Sequence, residues 1–194
     1  MKLAMIVTVM LLCVTRAQAQ GWQAELAGAW TAPVSDFSKL WKPGIGMRAT
    51  VSYGLSGIIG AEAAGAFGSF DMDAERVGED INRNPDILSG GTGTIMTVMA
   101  GLRFARPNGF VRPFASIHAG LYSVTMSDVQ VGRNGALGTF TASPQSVVGF
   151  RGALGITVWT MTRLGITMAT DYTHALTDNE AAGHGSLIIG LAIR

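Results

Sequence analysis

The sequence predicts an all-β protein: an eight-stranded antiparallel up-and-down transmembrane β-barrel, preceded by a signal peptide. Three observations carry this. Apolar side chains recur at every second position through eight segments. Short turns and long polar loops separate those segments in strict alternation. No segment after the N-terminus holds the roughly 18 uninterrupted apolar residues of a spanning helix, whereas a strand crosses a bilayer in about 9 to 11 tilted residues.

Residues 1–19 account for the start of the chain. Lys2 gives a short positive end, residues 3–14 are apolar apart from Thr8, and Ala17-Gln18-Ala19 is an A-x-A cleavage site. Bulky Leu12 before Cys13 argues against a lipoprotein. Cleavage before Gln20 leaves a single domain, residues 20–194. Without Lys2 and Arg16 it carries 12 basic and 13 acidic side chains, and it has no cysteine. An exported chain of near-neutral charge, with no disulfide and no basic cluster in its sequence, speaks against nucleic acid as a partner.

The first strand, residues 22–31, alternates Trp22, Ala24, Leu26, Gly28 and Trp30 against Gln23, Glu25, Ala27 and Ala29, and residues 33–42 follow as a loop. In the second strand Ile45, Met47, Ala49, Val51 and Tyr53 oppose Gly46, Arg48, Thr50 and Ser52. A turn at residues 54–57 leads to a third strand, residues 58–70, and an acidic loop, residues 71–91. The fourth and fifth strands form the clearest hairpin, residues 92–124. Met96, Val98, Ala100, Leu102 and Phe104 precede Arg106-Pro107-Asn108-Gly109, and Val111, Pro113, Ala115, Ile117, Ala119 and Leu121 follow it, so an Asn-Gly turn joins two period-two runs. A loop at residues 125–144 precedes the sixth strand, where Val148, Phe150, Leu154 and Ile156 alternate with Gly149, Arg151, Ala153 and Gly155. A turn at residues 159–163 leads to the seventh, with Leu164, Ile166, Met168, Thr170 and Tyr172 on one face. A third polar loop covers residues 173–183, and Leu187, Ile189, Leu191 and Ile193 line the outer face of the eighth strand.

Aromatic residues sit at both ends of these strands. Trp22, Tyr53, Phe104, Phe110 and Trp159 lie at turns, and Trp30, Phe37, Trp41, Phe67 and Tyr172 at loops, where the two membrane interfaces hold such rings. The other face decides what surrounds the barrel. A soluble exterior is about 25 to 35% charged, but here the polar face is mostly Gly, Ala, Ser and Thr with about one charge per strand. That composition suits a crowded lumen, with Glu25, Arg48, Glu62, Arg103, Arg112, His118, Arg151 and Asp171 as its charge network. A three-residue turn at Gly54, Leu55 and Ser56 sets Tyr53 opposite Gly57 and Arg48 straight across from Glu62, making that pair the expected plug.

On several stretches the chain resembles the eight-stranded outer-membrane β-barrel family, the OmpA-like and porin-like barrel domains. They are Ala17-Gln18-Ala19, Ala32-Pro33-Val34-Ser35-Asp36-Phe37, Val51-Ser52-Tyr53-Gly54-Leu55 and Ile189-Gly190-Leu191-Ala192-Ile193-Arg194. The resemblance implies an integral protein of the cell outer membrane, in contact with its lipid and lipopolysaccharide and inserted by the barrel assembly machinery. Chains of this family usually finish on Phe or Trp, and this one finishes on Arg194.

Some barrels of this size deacylate lipid A with a His-x-Ser pair and a downstream acid. Here His174-Ala175-Leu176 is followed by Asp178, Glu180 and His184, so a leucine stands where the nucleophile belongs, and only Thr173 or Thr177 offers a hydroxyl. The same histidines and acids match no compact metal motif. Calcium at the acidic loop would bridge to lipopolysaccharide or a host ligand, but such loops are commonly just solvated. No cofactor, metal or catalytic group is expected. The sequence therefore points to a monomeric, non-enzymatic barrel with a structural or loop-display role in adhesion, ahead of a lipid A 3-O-deacylase-like hydrolase or a small pore.

Overall fold

The computed structural model describes residues 21–34, 37–73, 86–89, 91–106, 108–133, 136–140, 145–176 and 182–194. The signal peptide, residues 1–19, lies outside them. The elements are β1 (Trp22–Val34), a single helical turn α1 (Phe37–Leu40), β2 (Gly44–Ser56), β3 (Ile59–Asp71), β4 (Asp86–Ser89), β5 (Thr92–Ala105), β6 (Val111–Met126), β7 (Val129–Arg133), β8 (Ala136–Phe140), β9 (Gln145–Trp159), β10 (Leu164–Ala175) and β11 (Ala182–Ile193). Eight of these strands close a barrel in the order β1-β2-β3-β5-β6-β9-β10-β11. Each is antiparallel to its neighbours, and β1 seals the wall against β11 from Ala24↔Ile193 to Val34↔Gly183. The expected eight-stranded up-and-down barrel is the observed one.

The alternation in the sequence becomes inside and outside. Leu26, Ile45, Val98, Leu121 and Leu154 are each more than half exposed, while Ala27, Thr97, Ser116, Ala153 and Thr167 are buried. A wall with Leu, Ile, Val and Met outward and Thr, Ser, Ala and charge inward is inside-out relative to a soluble barrel, so its exterior belongs in hydrocarbon. Closure also matters there, because an open sheet edge would leave backbone groups unpaired in lipid.

The structure corrects several boundaries. The two long loops at residues 71–91 and 125–144 are not wholly irregular: β4 from the first and the β7–β8 hairpin from the second form a separate three-stranded sheet in the order β4-β7-β8. These strands are four and five residues long, too short for period-two alternation to separate them from a Gly- and Ser-rich loop. The third loop contracts to residues 176–181, because Thr173, His174 and Ala175 belong to β10 and Gly183 to β11. β1 continues through Pro33 to Val34. Its pairing with β2 stops at Thr31, so beyond that point β1 has a free side, the setting in which a strand accepts proline.

The register between β2 and β3 also differs from expectation. The turn tip lies at Gly57-Ile58, and a bulge between Gly54 and Ser56 shifts the ladder by one residue, so Glu62 faces Ser52 and Arg48 faces Ala66. Arg48 and Glu62 are therefore not opposite one another. Among the nine of these aromatics whose side chains are described, Phe37 lying outside that set, two leave the membrane interfaces: Trp41 and Trp159 are 3% and 5% exposed, and both turn into the barrel. Trp159 is the last residue of β9 and continues the inward parity of Ala153 and Thr157, while Trp41 folds back over the lumen from the segment after α1.

Close packing inside the wall depends on Gly101. In the ladder Glu62 on β3 faces Gly101 on β5, which faces His118 on β6. A Cβ at Gly101 would overlap the Ile117 carbonyl oxygen and crowd the His118 Cα. Gly101→Ala is expected to lower stability in urea unfolding by about 1 to 3 kcal/mol. Gly28→Ala, where only Ile189 O lies at 4.0 Å, is expected to change it by less than about 0.5 kcal/mol.

Candidate functional site

The lumen holds a layer of charge between two caps. Inward positions of seven strands supply it: Glu25, Arg48, Glu62, Arg103, His118, Arg151 and Asp171, each 8% exposed or less. Arg48 is the bridge on one side, donating from Nη1 to Asp171 Oδ2 at 3.0 Å and from Nη2 to Glu25 Oε1 at 3.2 Å. On the other side Arg103 Nη1 donates to Glu62 Oε2 at 2.9 Å, and His118 Nε2 lies 2.7 Å from Glu62 Oε1 across the space that Gly101 leaves open. Glu25 joins the halves, its Oε2 being 3.9 Å from Arg103 Nη1. Arg103 also reaches Thr157 Oγ1 at 3.4 Å and stacks 3.7 Å above the Phe114 ring. Three guanidinium groups thus face three carboxylates in a space walled off from solvent, which is the condition for tolerating charge there.

Apolar groups close the layer from the loop side. Trp41, Phe70, Ile95, Met99, Tyr122 and Ala175 form a buried cluster, with Met72, Val124, Met126 and Val147 packed against it. Trp41 pairs with Met72 and lies over Gly93, where a Cβ would fall 2.7 Å from its ring. Beneath it the Tyr122 hydroxyl sits 3.3 Å from His184 Nδ1. Between this roof and the charges lies a cavity of about 30 Å³, lined in part by Thr31, Arg48, Thr97, Arg151 and Asp171. Arg151 Nε and Nη2 and Asp171 Oδ1 have no protein partner among the described residues, and the cavity beside them is large enough to hold water. At the turn side Trp159 forms the floor.

Of the eight residues expected in the network, seven share the buried layer, six of them joined by hydrogen bonds and Arg151 lying beside them. Arg112 does not: it lies at the turn end, half-buried, with Nε donating to Gly109 O at 3.2 Å. Its inward parity is right, but it is only the second residue of β6, where the lumen opens to the surface. The residues that sequence reasoning missed are the caps, Trp41, Tyr122 and Trp159. For Tyr122 and Trp159, the parity of the neighbouring inward residues was an available signal.

The hydrolase candidates separate. His174 stacks on Tyr172, ring centres 6.4 Å apart, and shares the outward parity of that residue, while Thr173 and His184 are buried inside. The two histidines thus face opposite sides of the wall. Thr177, Asp178 and Glu180 lie outside the described residues. A His-x-Ser pattern passed over in the sequence does exist, at His184-Gly185-Ser186, but both side chains are lumenal: His184 meets Tyr122, and Ser186 Oγ accepts from Thr31 Oγ1 at 3.2 Å. Among the described residues no three His, Cys, Asp or Glu side chains converge as a metal site.

No family model matches this sequence, and no curated protein does. Solved structures do. Neisserial surface protein A superposes with a TM-score of 0.59 at 12% identity, over 89% of this chain and 96% of that one. Ail, the attachment invasion locus protein of Yersinia pestis, gives 0.54 at 16% identity over 90% and 99%, and its complex with the heparin analogue sucrose octasulfate gives 0.52 at 16%. The chain therefore has the fold of the eight-stranded outer-membrane β-barrels.

The network makes a specific energetic forecast. Arg48 serves two carboxylates, so Arg48→Met strands both Glu25 and Asp171 and is expected to cost about 3 to 5 kcal/mol in urea unfolding from lipid vesicles. In a double-mutant cycle, Arg103→Met and Glu62→Gln should couple, the double variant costing less than the two single losses added, whereas Arg48→Met and Glu62→Gln, which share no hydrogen bond, should be closer to additive.

Proposed function

We propose that this protein is a non-enzymatic barrel of the outer membrane whose interior is a structural plug and whose loop end is the surface it presents, in a structural or adhesive role. The observation that carries the reading is the lumen: charges matched within it, Trp41 above and Trp159 below, so that no path or pocket for substrate is built there. What the chain adds beyond a bare barrel is the β4-β7-β8 sheet, assembled from two loops at one end. The shared fold with a protein named for attachment and invasion supports the same reading. Barrels of this class keep short turns in the periplasm and long loops outside, which directs the added sheet outward.

The loop end also has a sign. Residues 35–43, 71–91, 127–144 and 176–181 contain ten acids and five bases. Such a surface repels polyanions and favours a cationic or cation-bridged partner, unlike the heparin-analogue complex of the Yersinia protein.

Protease treatment of intact expressing cells tests the topology. Cuts are expected within residues 71–91 and 125–144, and cleavage at Arg106 or Arg163 in sealed cells would mean that the turns face outward. Mass spectrometry of lipid A from the same cells tests the absence of catalysis. An unchanged acylation pattern is expected. Loss of an acyl chain that is restored by Ser186→Ala or His174→Ala would overturn the non-enzymatic reading.

A further inference from the structure

The turn end of the barrel carries four arginines, Arg106, Arg112, Arg163 and Arg194, and its connecting residues 54–58, 106–110 and 160–163 contain no acid. Their placement is confined to one arc. Arg106 follows β5 and Arg112 is on β6, Arg163 precedes β10, and Arg194 follows β11, strands that are consecutive in the wall once β9 is included. The turn on the opposite side, Gly54, Leu55, Ser56, Gly57 and Ile58, has no charged side chain.

Within the arc two guanidinium groups are held on one ring. Arg112 Cζ lies 5.3 Å and Arg194 Cζ 4.4 Å from the centre of Trp159. The backbone fixes both by their Nε atoms: Arg112 donates to Gly109 O at 3.2 Å and Arg194 to Thr162 O at 2.8 Å. The main chain of Arg194 is tied as well, its N–H donating to Arg163 O at 3.1 Å. The terminal Nη groups of both arginines have no carboxylate partner among the described residues. No side-chain carboxylate among the described residues offsets these two like charges gathered at one ring, and an anion bound beside them would. Apolar side chains are interleaved: Phe110 and Met161 are 65% and 67% exposed, Val111 44% and Ile193 41%. An anion with hydrocarbon attached satisfies both sets of groups, and a free anion satisfies only one.

We propose that this arc is a binding site for an anionic phospholipid: the phosphate sits at Arg112 and Arg194 over Trp159, Arg106 and Arg163 add long-range attraction, and the acyl chains run along Phe110, Met161 and Ile193. The inference rests on the membrane-spanning reading, which the folding of the barrel into vesicles tests separately.

The experiment uses the folded chain reconstituted in bilayers containing phosphatidylcholine and phosphatidylglycerol in equal amounts, and counts the lipids retained on the protein by native mass spectrometry. Wild type is expected to retain phosphatidylglycerol preferentially. Arg112→Gln/Arg194→Gln should reduce that preference by about fivefold per arginine removed, following the usual contribution of a basic residue at an anionic membrane surface. Lys39→Gln/Lys42→Gln, at the loop end, should leave it unchanged. If the double arginine variant fails to fold, as judged by heat-modifiable gel mobility, the exposed pair Arg106→Gln/Arg163→Gln should still lower the preference. Millimolar inorganic phosphate is expected not to displace the lipid. Displacement by phosphate alone would overturn the assignment to a lipid in favour of a free phosphate. Equal retention of the two lipids by wild type, or a preference that survives both sets of arginine changes, would overturn the site.

Discussion

Charge inside a wall surrounded by lipid must be neutralised within that wall, and this constraint organises the molecule. An unpaired guanidinium or carboxylate in such a space costs several kcal/mol, so each charge needs a partner held in good geometry. Arg48 reaches Glu25 and Asp171, and Arg103 reaches Glu62, so the five partners come from five different strands, β1, β2, β3, β5 and β10. The register of the barrel and the identity of its charged residues are therefore one problem. A slip of one residue in any of these strands would turn its charge into hydrocarbon.

The small residues follow from the same requirement. A barrel of eight strands has an interior that side chains just fill, so long arginines meet across it only where neighbours are trimmed. Gly101 between Glu62 and His118 is the clearest instance, and Gly190, whose added Cβ would press on Ala27, is another. The unusual glycine content of the chain is in this sense the complement of its lumenal arginines. Outside the lumen, the remaining charge is divided between the ends: a basic arc at the turns and an acidic excess at the loops. The ends then differ chemically as well as in length.

Much of this was legible in the sequence because the period of a strand is fixed. Alternation identified eight spanning segments and sorted nearly every side chain to the correct face, and with the scarcity of charge it placed lipid outside. Seven of the eight network residues followed from parity alone. Pairing within the network did not, because it depends on register, and a turn tip at Gly57-Ile58 with a bulge at Leu55, in place of a three-residue turn at Gly54 to Ser56, moved Arg48 from Glu62 to Ala66. The caps were obscured for a related reason: Trp159 ends a strand and Trp41 lies in the connection before β2, where an interfacial ring and a lumenal one have the same sequence position. The β4-β7-β8 sheet escaped because β4 finds its partner β7 some forty residues on in sequence and each strand is too short to show a period.

If the lumenal charges and their aromatic caps close the barrel, single-channel recording of the purified protein in planar bilayers will register it. The account predicts no steady conductance in the unmodified protein, and ionic current appearing when the plug is dismantled, as in Arg48→Ala combined with Arg103→Ala. A stable open channel in the unmodified protein would contradict it.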